Sequence, residues 1–304
     1  MMEIVAYGGW DRCARFVAGE LELIVTLEVG PRIIRFGRIG GPNELVEYAK
    51  DMGSTGGSEY RSYGGHRLWV APEDPILTYE PDNDPVATDE TAIGVTFTKR
   101  AGALGIERAI GVRIEEGRVL LEHRVTNFSE SPRTLAPWCL TVMAPGGVCL
   151  FPQPEFRRHS EALLPAAPLV LWHYTRMADP RWSWGSRVVR LAHDPALGPQ
   201  KVGAAVRAGY AAYANHGNLF LKRFPYLPGA GYPDYGCNFE TFTRQDMLEV
   251  ESLGPLVTLG GGESVVHSET WFLVPGVSVP RDDEACGDWL DGLSRERPPH
   301  WPEG

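Results

Sequence analysis

The stretch from residue 235 to residue 271, YGCNFETFTRQDMLEVESLGPLVTLGGGESVVHSETW, decides the fold. Apolar residues recur at period two or in short runs through 247–253 and 265–273, and the glycines at 260–262 between them are turn chemistry, so the stretch reads as packed β-strands. Three carboxylates, Glu240, Glu249 and Glu251, stand on this otherwise apolar ground. An ionised carboxylate buried without a partner costs several kcal/mol, so strands carrying three of them point to a cleft.

Outward from this stretch the same pattern repeats. Strand-like runs occur at 21–27, 32–36, 93–98, 106–114, 119–125, 133–142, 188–191, 202–206 and 219–224. Clusters of Gly, Pro, Asn and Asp separate them, and the 35 glycines and 25 prolines of the chain suit many turns. Only 282–297 has helical spacing, with Asp282 and Asp283 as caps and Ala285, Trp289, Leu290 and Leu293 on one side. Many strands and one helix predict an all-β fold, two large antiparallel sheets face to face with a short C-terminal helix. No linker divides the chain, so residues 1–304 read as a single domain. Two long segments, 51–89 and 152–185, break the strand rhythm and are aromatic enough to be ordered, functional loops. The proline-rich tail 297–304 is expected to be loose unless Trp301 docks.

A formal net charge of −10 repels phosphate backbones, which excludes nucleic acid as a partner and disfavours anionic membranes. The N-terminus lacks a basic segment followed by an apolar run and a cleavage site, and no apolar run is long enough to span a bilayer. Five cysteines without C-x-x-C spacing suit reduced thiols, so the expected location is cytoplasmic. Neither the scattered cysteines nor the eight histidines show metal-ligand spacing, and the acidic run 80–90 lacks the glycine of a calcium loop, so it reads as a solvated loop. No nucleotide-binding or nucleophile-elbow motif occurs, and no metal or other cofactor is expected.

Several residues are candidates for chemistry. Glu240 shares a strand face with Asn238 and Phe242, a half-solvated setting that raises a carboxyl toward a general base; the structural alternative is an ion pair with Arg244 or Lys222. In Gly64-Gly65-His66-Arg67-Leu68-Trp69 the glycines permit close backbone approach, His66 can exchange a proton, and Arg67 and Trp69 offer a fork and a flat face. Lys222 lies on a largely apolar strand, free to hold a substrate group or Glu240, or to extend its ammonium into water. The loop after it brings Asp234 close in sequence. Trp182 and Trp184 would face one way in an extended segment and form a stacking platform, or else plug one end of the sandwich. Glu249 and Glu251, two apart on one strand face, would lie about 6.5 to 7 Å apart. That spacing suits two carboxylates acting across a glycosidic bond, although the alternation with Leu248 and Val250 is the ordinary look of a solvent face.

The segments GGHRLWVAPEDP, DPRWSWG and YPDYGCNFETFT, in that order, resemble an uncharacterised branch of the galactose mutarotase-like (aldose 1-epimerase) superfamily. The resemblance runs from about residue 20 to residue 275. It implies a β-supersandwich, a small-molecule carbohydrate as partner, Glu240 as general base and His66 as the acid at the ring oxygen. For such a ligand, the residue chemistry above makes Arg67, Trp69, Trp182, Trp184, Lys222, Asp234 and Glu251 the expected contacts. One departure stands out. The active mutarotases carry a second histidine after an Asn-containing turn, where this chain reads Val125-Thr126-Asn127-Phe128 and then Ala136-Pro137-Trp138-Cys139-Leu140. Two alternatives to epimerase chemistry therefore stand: a glycoside hydrolase or lyase using the acidic strands, and a sugar-binding or sensing protein without catalysis.

Overall fold

Period-two patterning holds across the whole chain in the computed structural model, which describes residues 2–115 and 117–297. In chain order the first strands are β1 (Met2–Tyr7), β2 (Trp10–Ala18), β3 (Leu21–Thr26), β4 (Ile33–Arg38), β5 (His66–Ala71), β6 (Ala87–Glu90) and β7 (Val95–Lys99). A long hairpin, β8 (Ile106–Glu115) and β9 (Arg118–Asn127), precedes β10 (Arg133–Met143), β11 (Val148–Pro152), β12 (Leu169–Leu171), β13 (Trp182–Trp184) and β14 (Val188–Ala192). The remainder are β15 (Gln200–Ala204), β16 (Tyr210–Asn215), β17 (Asn218–Arg223), β18 (Phe239–Arg244), β19 (Met247–Leu253), β20 (Val257–Leu259) and β21 (Ser264–Pro275).

These strands form two antiparallel sheets among the described residues. The first, of eleven strands, runs β1-β2-β3-β4-β5-β10-β19-β18-β15-β12, with β20 joined to β10. The second, of ten, runs β13-β14-β11-β16-β17-β21-β9-β8-β7-β6. The inner faces meet over one apolar core in which Phe36, Phe220 and Trp271 pack edge to face. The all-β expectation and the two-sheet arrangement therefore hold. Segments 51–89 and 152–185 are less irregular than their sequence suggests, since β5, β6, β12 and β13 arise within them.

Gly64 and Gly65 take positive φ values of 101° and 72°, and a Cβ there would lie 2.2 Å from the Val46 carbonyl and 2.3 Å from that of Ile33. The pair is needed where backbone approaches backbone, not ligand, and it sets the entry of β5 between β4 and β10. The run 80–90 divides: Glu80 is held by Lys99 and Arg108, Asp82 by Arg32, and Asn83 is buried, whereas Asp84, Asp89 and Glu90 are exposed as a solvated loop would have them.

The C-terminal helix, Asp283–Glu296, is capped by Asp282, whose Oδ1 accepts from the Ala285 N–H at 2.9 Å. Cys286 and Leu290 face Leu150, Tyr210 and Leu221 of the second sheet, while Ala285, expected on the apolar side, is exposed. The tail at 298–304, with Trp301, lies outside the described residues. All five cysteines are buried free thiols, and no described helix is long and apolar enough to cross a membrane.

Candidate functional site

Alternation divides the residues of β5, β10, β19, β18 and β15 between two faces of the first sheet. His66, Cys139, Thr141, Val250 and Ser252 turn toward the second sheet. Arg67, Trp69, Trp138, Glu249, Glu251, Glu240, Phe242 and Lys201 turn the other way. Register then orders the outward face into rows. Arg67, Leu140, Glu251 and Glu240 stand side by side on β5, β10, β19 and β18. The adjacent row is Val142, Glu249, Phe242 and Lys201.

Over these rows opens a cleft of about 280 Å³, lined among others by Arg67, Trp69, Trp138, Lys201, Phe242 and Glu249. Two aromatic side chains from the 51–89 segment, Tyr60 and Tyr79, and Trp138 of β10 pack around Trp69. A groove of about 370 Å³ lies on the second sheet around Gly111 and Leu120, away from every candidate side chain, and wider ones of about 530 and 570 Å³ lie around 152–166 and beside the C-terminal helix.

Glu240 and Glu251 sit directly opposite each other on neighbouring strands, a pairing that is destabilising for like charges. Lys201 resolves it. Its Nζ lies 2.7 Å from Glu240 and 3.4 Å from Glu251, between the indoles of Trp138 and Trp172 at 4.8 and 4.6 Å. Trp138 Nε1 also donates to Glu251 at 2.7 Å. One ammonium cannot neutralise two carboxylates. Burial pushes the Glu240 carboxyl well above its usual range, Lys201 opposing and Glu251 reinforcing the shift. Burial alone would lower Lys201, but Glu251 and Glu240 outweigh it and hold the ammonium ionised.

Glu249 is placed differently. It is 6 % exposed, lines the cleft, and has only a long contact of 3.5 Å to Arg67 Nη2. Burial, then the neighbouring Glu251 charge, pushes it up to about 7 against the pull of Arg67 and Lys201. Arg67 stacks on Trp69 at 4.3 Å, and its buried Nε has no partner among the described residues. The solvent-face expectation for Glu249 and Glu251 is thus corrected: apolar neighbours at Leu140, Val142 and Met247 bury that face, and the cleft opens upon it.

The structure brings Arg67, Trp69, Lys201, Glu240, Glu249 and Glu251 to one face and leaves His66, Lys222, Trp182 and Trp184 elsewhere. His66 is one residue from Arg67 and so points between the sheets. Its Nδ1 meets Thr141 Oγ1 at 2.9 Å and its Nε2 meets His123 Nε2 at 2.7 Å. It does not face Glu240 across a pocket. Burial keeps this imidazole well below its usual pKa, and holds His123 and His267 down at about 3. Lys222, expected to reach a substrate, Glu240 or water, reaches none of them. It is fully buried and pairs with Glu269 at 2.8 Å, while Glu269 also accepts from Ser252 and Trp271. His66, His123 and Glu269 could together ligate an ion, as could Cys139, His267 and Glu269, but Lys222 already neutralises Glu269 and the two imidazole nitrogens lie at hydrogen-bond distance. The donor set fits a proton network better than a metal.

Trp182 and Trp184 do share one side of their strand, stacked at 4.8 Å, but β13 is the edge of the second sheet, where Trp182 joins the core and donates to Gln200. Asp234 sits at positive φ in a tight turn, near enough to raise Glu240 electrostatically yet outside the cleft lining. Sequence reasoning missed Lys201 and the central role of Phe242. The signal for Lys201 was the alternation of Gln200-Lys201-Val202-Gly203, but its pairing with Glu240 depends on register between distant strands.

Solved structures share this architecture. A galactose mutarotase-like protein from Lactobacillus casei superposes with a TM-score of 0.56 at 13% identity, covering 86% of this chain and 99% of that one. One from Clostridium acetobutylicum gives 0.55 at 11%, over 90% and 98%. A TPR-domain containing protein from Parabacteroides distasonis gives 0.57 at 13%, over 89% of this chain and 49% of the other. No protein-family model matches the chain, and no curated protein matches it significantly. The chain has the galactose mutarotase-like fold.

Proposed function

From that fold, we propose that the chain binds a single sugar ring in the cleft of its first sheet and moves protons at the anomeric centre, with Glu249 as the base. One observation carries the reading: the row Lys201, Phe242, Glu249 sets a half-buried aromatic ring between an ammonium and a carboxylate on a cleft floor. Neighbouring strands are about 4.8 Å apart, so the two charged residues stand roughly 9.6 Å apart at their Cα atoms with the ring between them. A pyranose lying with its C–H face on Phe242 meets a charged group at either edge. The Arg67 fork, with donors to spare, suits sugar hydroxyls. A carboxyl near 7 is part ionised at neutral pH and matched to taking a proton from an anomeric hydroxyl. The cleft volume is at the small end for ligand pockets, which favours one ring over an extended glycan.

Binding without turnover is favoured by one observation, since among the described residues no histidine lines the cleft. Exchange NMR on free aldoses separates the two. The proposed chemistry predicts faster anomer exchange with the parent protein and a loss of about 10² to 10⁴ in rate for Glu249→Gln with binding retained. Binding without acceleration supports a sugar-binding protein, and absence of binding to any aldose removes the carbohydrate reading.

A further inference from the structure

We infer that Lys201 is the acid of this site, giving a proton to the ring oxygen where an imidazole would otherwise do so. The inference rests on the sugar reading above and deepens it. Ring opening needs a donor at O5 as well as a base at O1. The cations lining the cleft are Arg67, Lys201 and Arg244. Guanidinium groups do not give up protons in proteins, so Lys201 is the one amine of the three; Glu251 and Glu240 raise its hold on the proton, so that proton leaves only as the neighbouring carboxyl replaces it. Its position is fixed by two indoles and two carboxylates. An ammonium has three N–H groups; among the described residues Nζ donates to Glu251 Oε2 at 3.4 Å and lies 2.7 Å from Glu240, whose oxygens find no well-aligned donor, and a third N–H is left for the cleft that Lys201 lines. Register sets its backbone beside Phe242, on the side opposite Glu249, and its side chain reaches across to Glu251 and Trp138.

The step balances without a cofactor. Glu249 takes the O1 proton, the O–H pair becomes the C1=O1 double bond, and the C1–O5 bond breaks with its pair going to O5, which takes a proton from Nζ. Glu240 lies 2.7 Å from Nζ, and burial favours its protonated form; in the proposed step it passes its proton to the amine, so no amine stands between two anions. After rotation about C1–C2, O5 attacks the other face of C1, its proton returns through Lys201 to Glu240, and Glu249 returns the first proton to O1.

The test uses the intact protein with ¹³C-1-labelled D-glucose, D-galactose and D-xylose, followed by exchange NMR, with binding read separately by calorimetry. Lys201→Arg keeps the charge but removes the usable proton; Lys201→Met with Glu240→Gln removes the ion pair together and stands in if the first variant does not fold. Circular dichroism matching the parent, sugar affinity within a few fold, and exchange slowed about 10² to 10⁴ fold is the expected result. Recovery of the parent rate by Lys201→Arg would overturn the inference, because charge alone would then suffice. So would loss of exchange in Tyr60→Phe with the Lys201 variants unaffected, since the buried Tyr60 hydroxyl, without a partner among the described residues, also borders the cleft. A parent that accelerates none of the three sugars sinks the proposed chemistry itself, a result read before any variant is made.

Discussion

Replacing Glu249 by Gln should make the protein more stable at alkaline pH than at acid pH, relative to the parent. The native carboxyl holds its proton up to about 7, whereas the reference value is 4.5. Because the folded-state value is the higher one, its contribution to stability is complete below 4.5 and is lost as pH rises through 7. At 1.36 kcal/mol per pK unit the full amplitude is about 3 kcal/mol, of which about 2.5 kcal/mol falls between pH 5 and pH 8. Gln cannot ionise, so the variant escapes this loss. Urea unfolding of both proteins at pH 5, 6, 7 and 8 should therefore show the difference in unfolding free energy moving toward the variant by about 2.5 kcal/mol across the series. Any fixed effect of losing the long contact to Arg67 shifts all four points equally and cancels. A difference that stays constant to within about 0.5 kcal/mol would mean that Glu249 is already ionised at pH 5, and its case as a base poised near neutrality would fall.

Three further outcomes are expected. His123 and His267 are held down at about 3 by burial, so stability should fall as pH drops from 6.5 toward 3, each of the two costing about 2 kcal/mol by pH 5, with His66 acting in the same direction; His123→Gln should be measurably less acid-sensitive than the parent, and an identical pH slope would contradict this. Lys222→Met strands the buried Glu269 carboxylate and should cost about 3 to 5 kcal/mol in urea unfolding, with most of it recovered by adding Glu269→Gln; equal losses in both variants would show that the pair matters only for packing. Phe242→Ala should weaken sugar binding about tenfold by calorimetry while Trp184→Ala leaves it unchanged, and the reverse ranking would move the stacking platform to β13.

What was legible in the sequence is what depends on neighbours along the chain. Alternation and turn residues identify the strands, because both act over two to four residues, and the helix at the C-terminus announces itself through its cap. The candidate site is less legible. Glu240, Glu249 and Glu251 were visible as carboxylates on apolar strands, but whether the Glu249 face meets water or a cleft depends on Arg67 and Leu140 arriving beside it from β5 and β10. The GGHRLW segment shows both outcomes at once: it contributes Arg67 and Trp69 to the cleft, while its histidine, the group most suggestive of catalysis, joins His123 from the opposite sheet. Lys222 looked like a cation in need of water because its partner, Glu269, lies 47 positions away and on a different strand.

The two-sided use of the first sheet also bears on how the gene can change in length. A codon gained or lost inside β5 would exchange Arg67 with His66, emptying a guanidinium into the dry interior and turning an imidazole out into the cleft; the same slip in β19 would carry Glu249 inward and Val250 outward. Gly64 and Gly65, locked against the carbonyls of Val46 and Ile33, leave β5 no slack at its start to absorb such a slip. Chain length should therefore drift freely in irregular stretches such as 153–168 and 225–232, while β5 and β19 admit only substitutions, or insertions in pairs.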